Sequence, residues 1–209
     1  MKSLSDFLPR ILPHVIGCPN TLAEQSLVDA AISFCDKSLA IRYVPDIAYT
    51  TASVARYDFD LPASQDFSRV VYLKVNGREL KSAPAWNQPL VETSDSLPTH
   101  YFVTQNESEL QLNLYPTPDD VYTIEMSVAL RPTRNASRLE DDLYTYWHEA
   151  LVFGALSRIM NSSDQPYSDP VMARNYAYKA YAACQNARIE GNIGRTISSL
   201  SARPTPFVR

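Results

Sequence analysis

The chain has 209 residues, 45% of them hydrophobic and 20% charged, with a formal charge of −4. That is enough for one sizeable globular domain or two small ones, and no apolar run reaches the ~18 to 20 residues that span a bilayer. Three cysteines, Cys18, Cys35 and Cys184, with no C-x-x-C spacing, argue against a disulfide framework or a zinc site and for reduced structural thiols.

The first segment, "MKSLSDFLPRILPHVIG", is interrupted by Asp6, Pro9, Arg10 and Pro13, which argues against a signal peptide and for a short helix around Ser3–Arg10. Residues 20–43 carry a helical pattern. Thr21 and Glu24 stand at capping-box spacing, Leu27, Ala31, Phe34 and Leu39 make an apolar face, and Pro45 limits the end. From about Tyr49 to Pro132 the period changes to alternation. "RYDFDLP", "RVVYLKV", "HYFVTQ", "ELQLNLY" and "VYTIEMSVAL" read as strands, Asn76-Gly77 supplies a type I′ hairpin turn, and "PTPDD" at 116–120 marks another turn.

Helical signals return at Ser137, which with Glu140 offers a second capping box. Asp141 and Asp142 suit the first turn and Arg158 the last. Asp169 is the expected N-cap of a last helix with Pro170 at its first position, running to about Glu190 and stopped by Gly191. Its stripe of Ala173, Ala177, Ala180 and Cys184 is small enough for close approach of another helix. The expected fold is therefore α+β, a four-helix bundle carrying an inserted small antiparallel β-sandwich or barrel. Residues 1–48 and 133–190 would form the discontinuous bundle, 49–132 the insert, and 191–209 an extended C-terminal tail.

Charge divides along the chain. Residues 171–209 carry six basic residues against Glu190, a net +5, which leaves −9 for residues 1–170. Such polarity suggests that the two parts face different partners.

Catalytic constellations are missing. "WHEAL" holds the first half of H-E-x-x-H at His148 and Glu149, but Val152 stands where the second ligand belongs. His148 then reads as a packing or capping residue, and Glu140, Asp141 and Asp142 as helix-start acids. There is no Walker motif, no G-x-G-x-x-G and no G-x-S-x-G, so neither an enzyme, a metal site nor a cofactor is expected. A compact body, a small-residue stripe and a basic end fit an assembly subunit.

The stretches "FLPRILPHVIGCPNTLAEQSLVDAAISFCDKSLAIRY" and "LYTYWHEALVFGALSRIMNSSDQPYSDPVMARNYAYKAYAACQNARIEGNIGR" resemble the head-to-tail adaptor (connector) proteins of tailed bacteriophages. The most specific pieces are Leu-Pro…Gly-Cys-Pro followed by Ala-Ala-Ile-Ser-Phe-Cys, then the helix Tyr-Trp-His-Glu-Ala-Leu and the Pro-Tyr-Ser-Asp-Pro loop. The resemblance implies a structural virion protein of the neck, made in the host cytoplasm, with no membrane partner. It implies a homo-oligomeric ring of twelve subunits beneath the portal protein. Such a ring extends the DNA channel without sequence-specific binding and offers the tail or nozzle protein a platform through the β domain or the bundle. C-terminal segments of such proteins reach the portal, so Arg195, Arg203 and Arg209 would pair with portal carboxylates while Ile197, Leu200 and Phe207 fill pockets. Two other readings stand beside it: a nucleic-acid-binding module using the basic C-terminal end, and a carbohydrate-binding β-sandwich with Trp86 in a sugar platform.

Overall fold

The computed structural model describes residues 1–83, 95–106 and 109–193. The chain starts with strand β1 (Lys2–Ser3), a 3-10 turn at Leu4–Asp6, helix α1 (Leu8–Ile11) and a second 3-10 turn at Leu12–His14. Pro9 and Pro13 lie in the opening positions of their turns, where a missing N–H costs no hydrogen bond. Phe7 and Ile11 point inward and are fully buried.

Helix α2 spans Asn20–Ser38. Its N-cap is Pro19, without a side-chain cap bond, so Thr21 and Glu24 fall inside the helix and do not form the expected capping box. The helix also ends five residues earlier than expected. Leu39 turns left-handed at φ 56° and its N–H returns to the Cys35 carbonyl at 2.9 Å. Residues Ile41–Tyr43 then become strand β2, which gains a ladder with Val128–Leu130 that a continued helix would forgo.

The strands that follow are β3 (Arg56–Phe59), β4 (Gln65–Val75), β5 (Arg78–Glu79), β6 (Lys81–Ser82), β7 (His100–Asn106), β8 (Glu109–Tyr115), β9 (Ile124–Pro132) and β10 (Arg138–Leu139). One four-stranded sheet has the order β2-β9-β4-β5 and the other β3-β8-β7-β6, while β1 pairs with β10. All these pairings are antiparallel except β6 with β7. Asn76 and Gly77, at φ 52° and 73°, make the β4–β5 turn with both residues at the positive φ that a type I′ turn requires. Among the described residues the sheets do not close into a barrel. They face each other across a shared core of Leu73, Leu112, Met126, Val128 and Leu130.

Helix α3 spans Asp141–Met160 and α4 spans Pro170–Ile193. The start of α3 is shifted from the second expected capping box, because Arg138–Leu139 pairs with Lys2–Ser3 and Glu140 becomes the N-cap without a side-chain cap bond. Asp141 and Asp142 do occupy its first turn and Arg158 its last. In α4, Asp169 Oδ1 accepts the N–H groups of Val171 and Met172 at 3.1 and 2.9 Å, the N-cap expected. Gly191 does not stop α4, which continues to Ile193. A Cβ at Gly191 would lie 3.2 Å from the Arg42 guanidinium, so the small residue gives that side chain room beside the helix.

Three helices of 19 to 24 residues thus make the α part, with α1 a four-residue helix at their side. Their core includes Phe7, Ile11, Leu27, Leu143, Leu151, Leu156 and Ile159, drawn from the first 38 residues and from Leu139 onward. Each such side chain contributes roughly 1.5 to 3 kcal/mol by leaving water. The β core is built from residues in between, and Ile41 packs against both. Strand β9 lies between the β core and α2, which explains its nearly continuous burial from Met126 to Leu130.

Candidate docking surfaces

The small-residue stripe of α4 divides on the structure. Ala173 and Cys184 are buried, Ala180 is half-buried and Ala177 is exposed. The face turned to the bundle passes through Ala173, Tyr176, Cys184 and Ala187, with Tyr176 stacked on Phe153 of α3 at 5.7 Å. Ala177, Ala180 and Cys184 line a groove of about 390 Å³ whose other walls are Ala30 and Phe34 of α2 and Gly154 of α3. The helices approach closely there. A Cβ on Gly154 would stand 2.9 Å from the Ala30 Cβ, and Arg158 closes the groove by donating to the carbonyls of Gly154 and Asp29.

Cys35 and Cys184 lie in this packing, while Cys18 precedes α2. All three are free and buried. Burial pushes the thiols of Cys18, Cys35 and Cys184 above their ordinary value, and for Cys35 the neighbouring Asp36 carboxylate adds to it. Cys184 Sγ points at the Phe34 carbonyl at 3.8 Å, joining α4 to α2.

A second concavity, of about 290 Å³, lies between the N-terminal turns, α3 and α4. Its floor is apolar, from Pro9, Pro13, Val152, Phe153, Leu156 and Tyr176. Its polar lining is Arg10, His14, His148, Glu149 and Lys179. Arg10 meets Glu149 at 3.9 Å with both side chains largely exposed. Lys179 lies 5.4 Å from the Phe153 ring centre and 5.7 Å from that of Tyr176, and no described carboxylate pairs with it. His148 rests 5.8 Å from the Tyr144 ring, and its Nε2 is buried with no hydrogen-bond partner among the described residues. Burial lowers the His148 pKa, Arg10 lowers it further and Glu149 opposes. From the sequence His148 reads as a packing or capping residue. Its convergence with Arg10 and Lys179 depends on three elements meeting, which no local spacing reveals.

The outer face of α4 is the other feature missed. Val171, Tyr178, Tyr181 and Ile189 are all more than half exposed, an uncommon density of large apolar groups for one helix. For three of them the signal is the i, i+7, i+18 spacing of Val171, Tyr178 and Ile189, opposite the small-residue stripe, whereas Tyr181 borders the groove.

The acids at the start of α3 have structural partners. Asp141 holds the Met1 ammonium at 2.7 Å, and Glu140 accepts a hydrogen bond from the Gln65 amide. Among the described residues no three His, Cys, Asp or Glu side chains converge as metal ligands, and no helix is long and apolar enough to cross a membrane. The six tail residues Arg195, Ile197, Leu200, Arg203, Phe207 and Arg209, and Trp86 of the carbohydrate reading, lie outside the described residues.

A protein-family model described as SU10 adaptor protein matches residues 3–204, nearly the whole chain. No curated protein matches it.

Proposed function

The chain belongs to the SU10 adaptor protein family, a family of phage head-to-tail adaptors, and on that premise we propose that it is a ring subunit docked under the portal. A structural role between head and tail, in the virion neck, follows from the family. Twelve copies form a ring that lengthens the DNA channel and gives the tail its attachment platform, without catalysis. The bundle of residues 1–48 and 133–190 forms the body, residues 49–132 the insert, and the segment from about 191 to 209 grips the portal. The family match over 3–204 carries the proposal.

Physical features support it. The buried residues fall into two cores, one from the two ends of the described chain and one from its middle, as an inserted unit requires. The basic end contrasts with the −9 of residues 1–170, so DNA would meet an acidic body while carboxylates on the portal would attract the tail. The close α2–α3 approach at Gly154 and Ala30 stiffens the bundle from which such a tail would extend.

The test is to mix purified protein with portal rings and image them, with the full chain and with a chain ending at Ile193. The expected outcome is a holed ring on the portal for the full chain and loss of binding for the shortened one. Binding unchanged by the truncation removes the tail's role, and no ring on the portal under any condition removes the proposal. Retardation of DNA by the full chain alone, lost on truncation and at moderate salt, would favour the nucleic-acid reading instead.

A further inference from the structure

We propose that the concavity between the N-terminal turns, α3 and α4 is a receptor for a carboxylate-bearing segment of a partner protein, with Arg10 and Lys179 receiving the acid and the proline-aromatic floor receiving an adjacent apolar side chain. The inference is independent of the C-terminal segment and of the portal.

The charge around this pocket runs against its surroundings. The chain sums to −4 with histidines neutral, yet Arg10 and Lys179 meet at one concavity beside the imidazoles of His14 and His148, with Glu149 the one acid among its described lining residues. That acid leaves the cations largely unsatisfied. Its 3.9 Å contact with Arg10 is at the limit of an ion pair and exposed, and such pairs hold their partners weakly. Lys179 is held over the rings of Phe153 and Tyr176, which fixes its stem while leaving its ammonium without a carboxylate among the described residues. His148 adds its ring to the wall beside them, its Nε2 buried without a partner among the described residues.

The lining also chooses between anions. The floor of Pro9, Pro13, Val152, Phe153, Leu156 and Tyr176 suits an apolar side chain next to the acid, as a polypeptide provides. A nucleic-acid backbone would present a run of phosphates, for which the described lining residues offer no continuing basic track, and it would bring them up against Glu149. A protein carboxylate is therefore the occupant that the chemistry fits.

The probe is a fluorescein-labelled hexapeptide of alternating glutamate and leucine, titrated with the full chain at low ionic strength and read by anisotropy. A lysine-leucine peptide is the control. The glutamate peptide should bind and the control should not. The double variant Arg10→Ala with Lys179→Ala should weaken binding about tenfold, in line with loss of charge-assisted contacts. Glu149→Gln should tighten it, about threefold, by removing the rival acid. This gain of binding cannot come from misfolding. Equal affinity for both peptides, or unchanged affinity in the folded double variant, overturns the proposal. So does binding of duplex DNA through the same residues with none of the glutamate peptide.

Discussion

Asp36, in the last turn of α2, holds the Arg131 guanidinium of β9 at 3.1 Å. The same carboxylate accepts the Ser68 hydroxyl of β4 at 2.6 Å, so one side chain ties the helical core to two adjacent strands. Because it lies where α2 crosses the sheet, the contact sets how the two cores sit together rather than strengthening either.

Asp36→Ala should therefore destabilise the protein by about 1 to 2 kcal/mol, the range for losing a charged hydrogen bond and a partly exposed ion pair together. Arg131→Ala should cost less, since Asp36 keeps Ser68 and remains in reach of water. Urea unfolding of the two variants measures the order. A larger loss for Arg131→Ala would mean that the guanidinium's packing, not the carboxylate's bridging, holds this joint.

Gly154→Ala would gain helix propensity of about 1 kcal/mol at an ordinary site. Here the new methyl stands 2.9 Å from the Ala30 Cβ, a contact between short side chains on two helix backbones that neither can rotate away from. The net expectation is a loss of about 1 to 3 kcal/mol, as for overpacking. Adding Ala30→Gly should recover part of it by moving the methyl's space to the other helix. A double-mutant cycle by urea unfolding reads the coupling, and additive losses would show that the helices separate instead.

Much of the fold was legible because its signals are local. The β4–β5 turn needs two positive φ values in succession, and Asn76-Gly77 is a pair that supplies them readily. Asp169 before Pro170 is a complete helix start within two residues. The misread boundaries were set by distant partners. Ser137–Glu140 has the composition of a cap, but Arg138–Leu139 is taken by β1, more than 130 residues away in sequence. Residues 41–43 continue the helical pattern until β9 draws them into a ladder. Gly191 carries the composition of a stop, and the Arg42 side chain beside it explains the missing Cβ better. The cationic pocket was invisible for the same reason, since Arg10, His148 and Lys179 come from three separate elements.

The cysteines should be slow to react in the folded protein. A thiol attacks reagent as the thiolate, and burial raises all three of these thiols above their usual value. At pH 8 with a chromogenic disulfide reagent, most of the three equivalents should appear only after guanidinium is added. Cys35, fully buried beside Asp36, should be the last to react. Rapid native titration of all three thiols would contradict the packing of α4 against α2.

The remaining prediction concerns acid. His148 is held below its ordinary value of 6.5 chiefly by burial and then by Arg10, with Glu149 pulling the other way. As pH falls below about 6.5, the unfolded chain binds a proton at this residue before the folded chain does. The neutral ring's contribution to stability is therefore fully present above 6.5. It declines as pH drops toward the lower folded value, and below that value the loss stops growing. His148→Gln keeps a polar group near Tyr144 and Val152 but cannot titrate, so its stability should change less between pH 7.5 and pH 5.5 than that of the unaltered chain. Urea midpoints at several pH values in that window give the comparison directly. Glu149→Gln should steepen the dependence, because it removes the charge that favours the protonated ring. Parallel curves for the unaltered chain and His148→Gln would place the ring in water in both states, and a steeper curve for His148→Gln would reverse the sign of the argument.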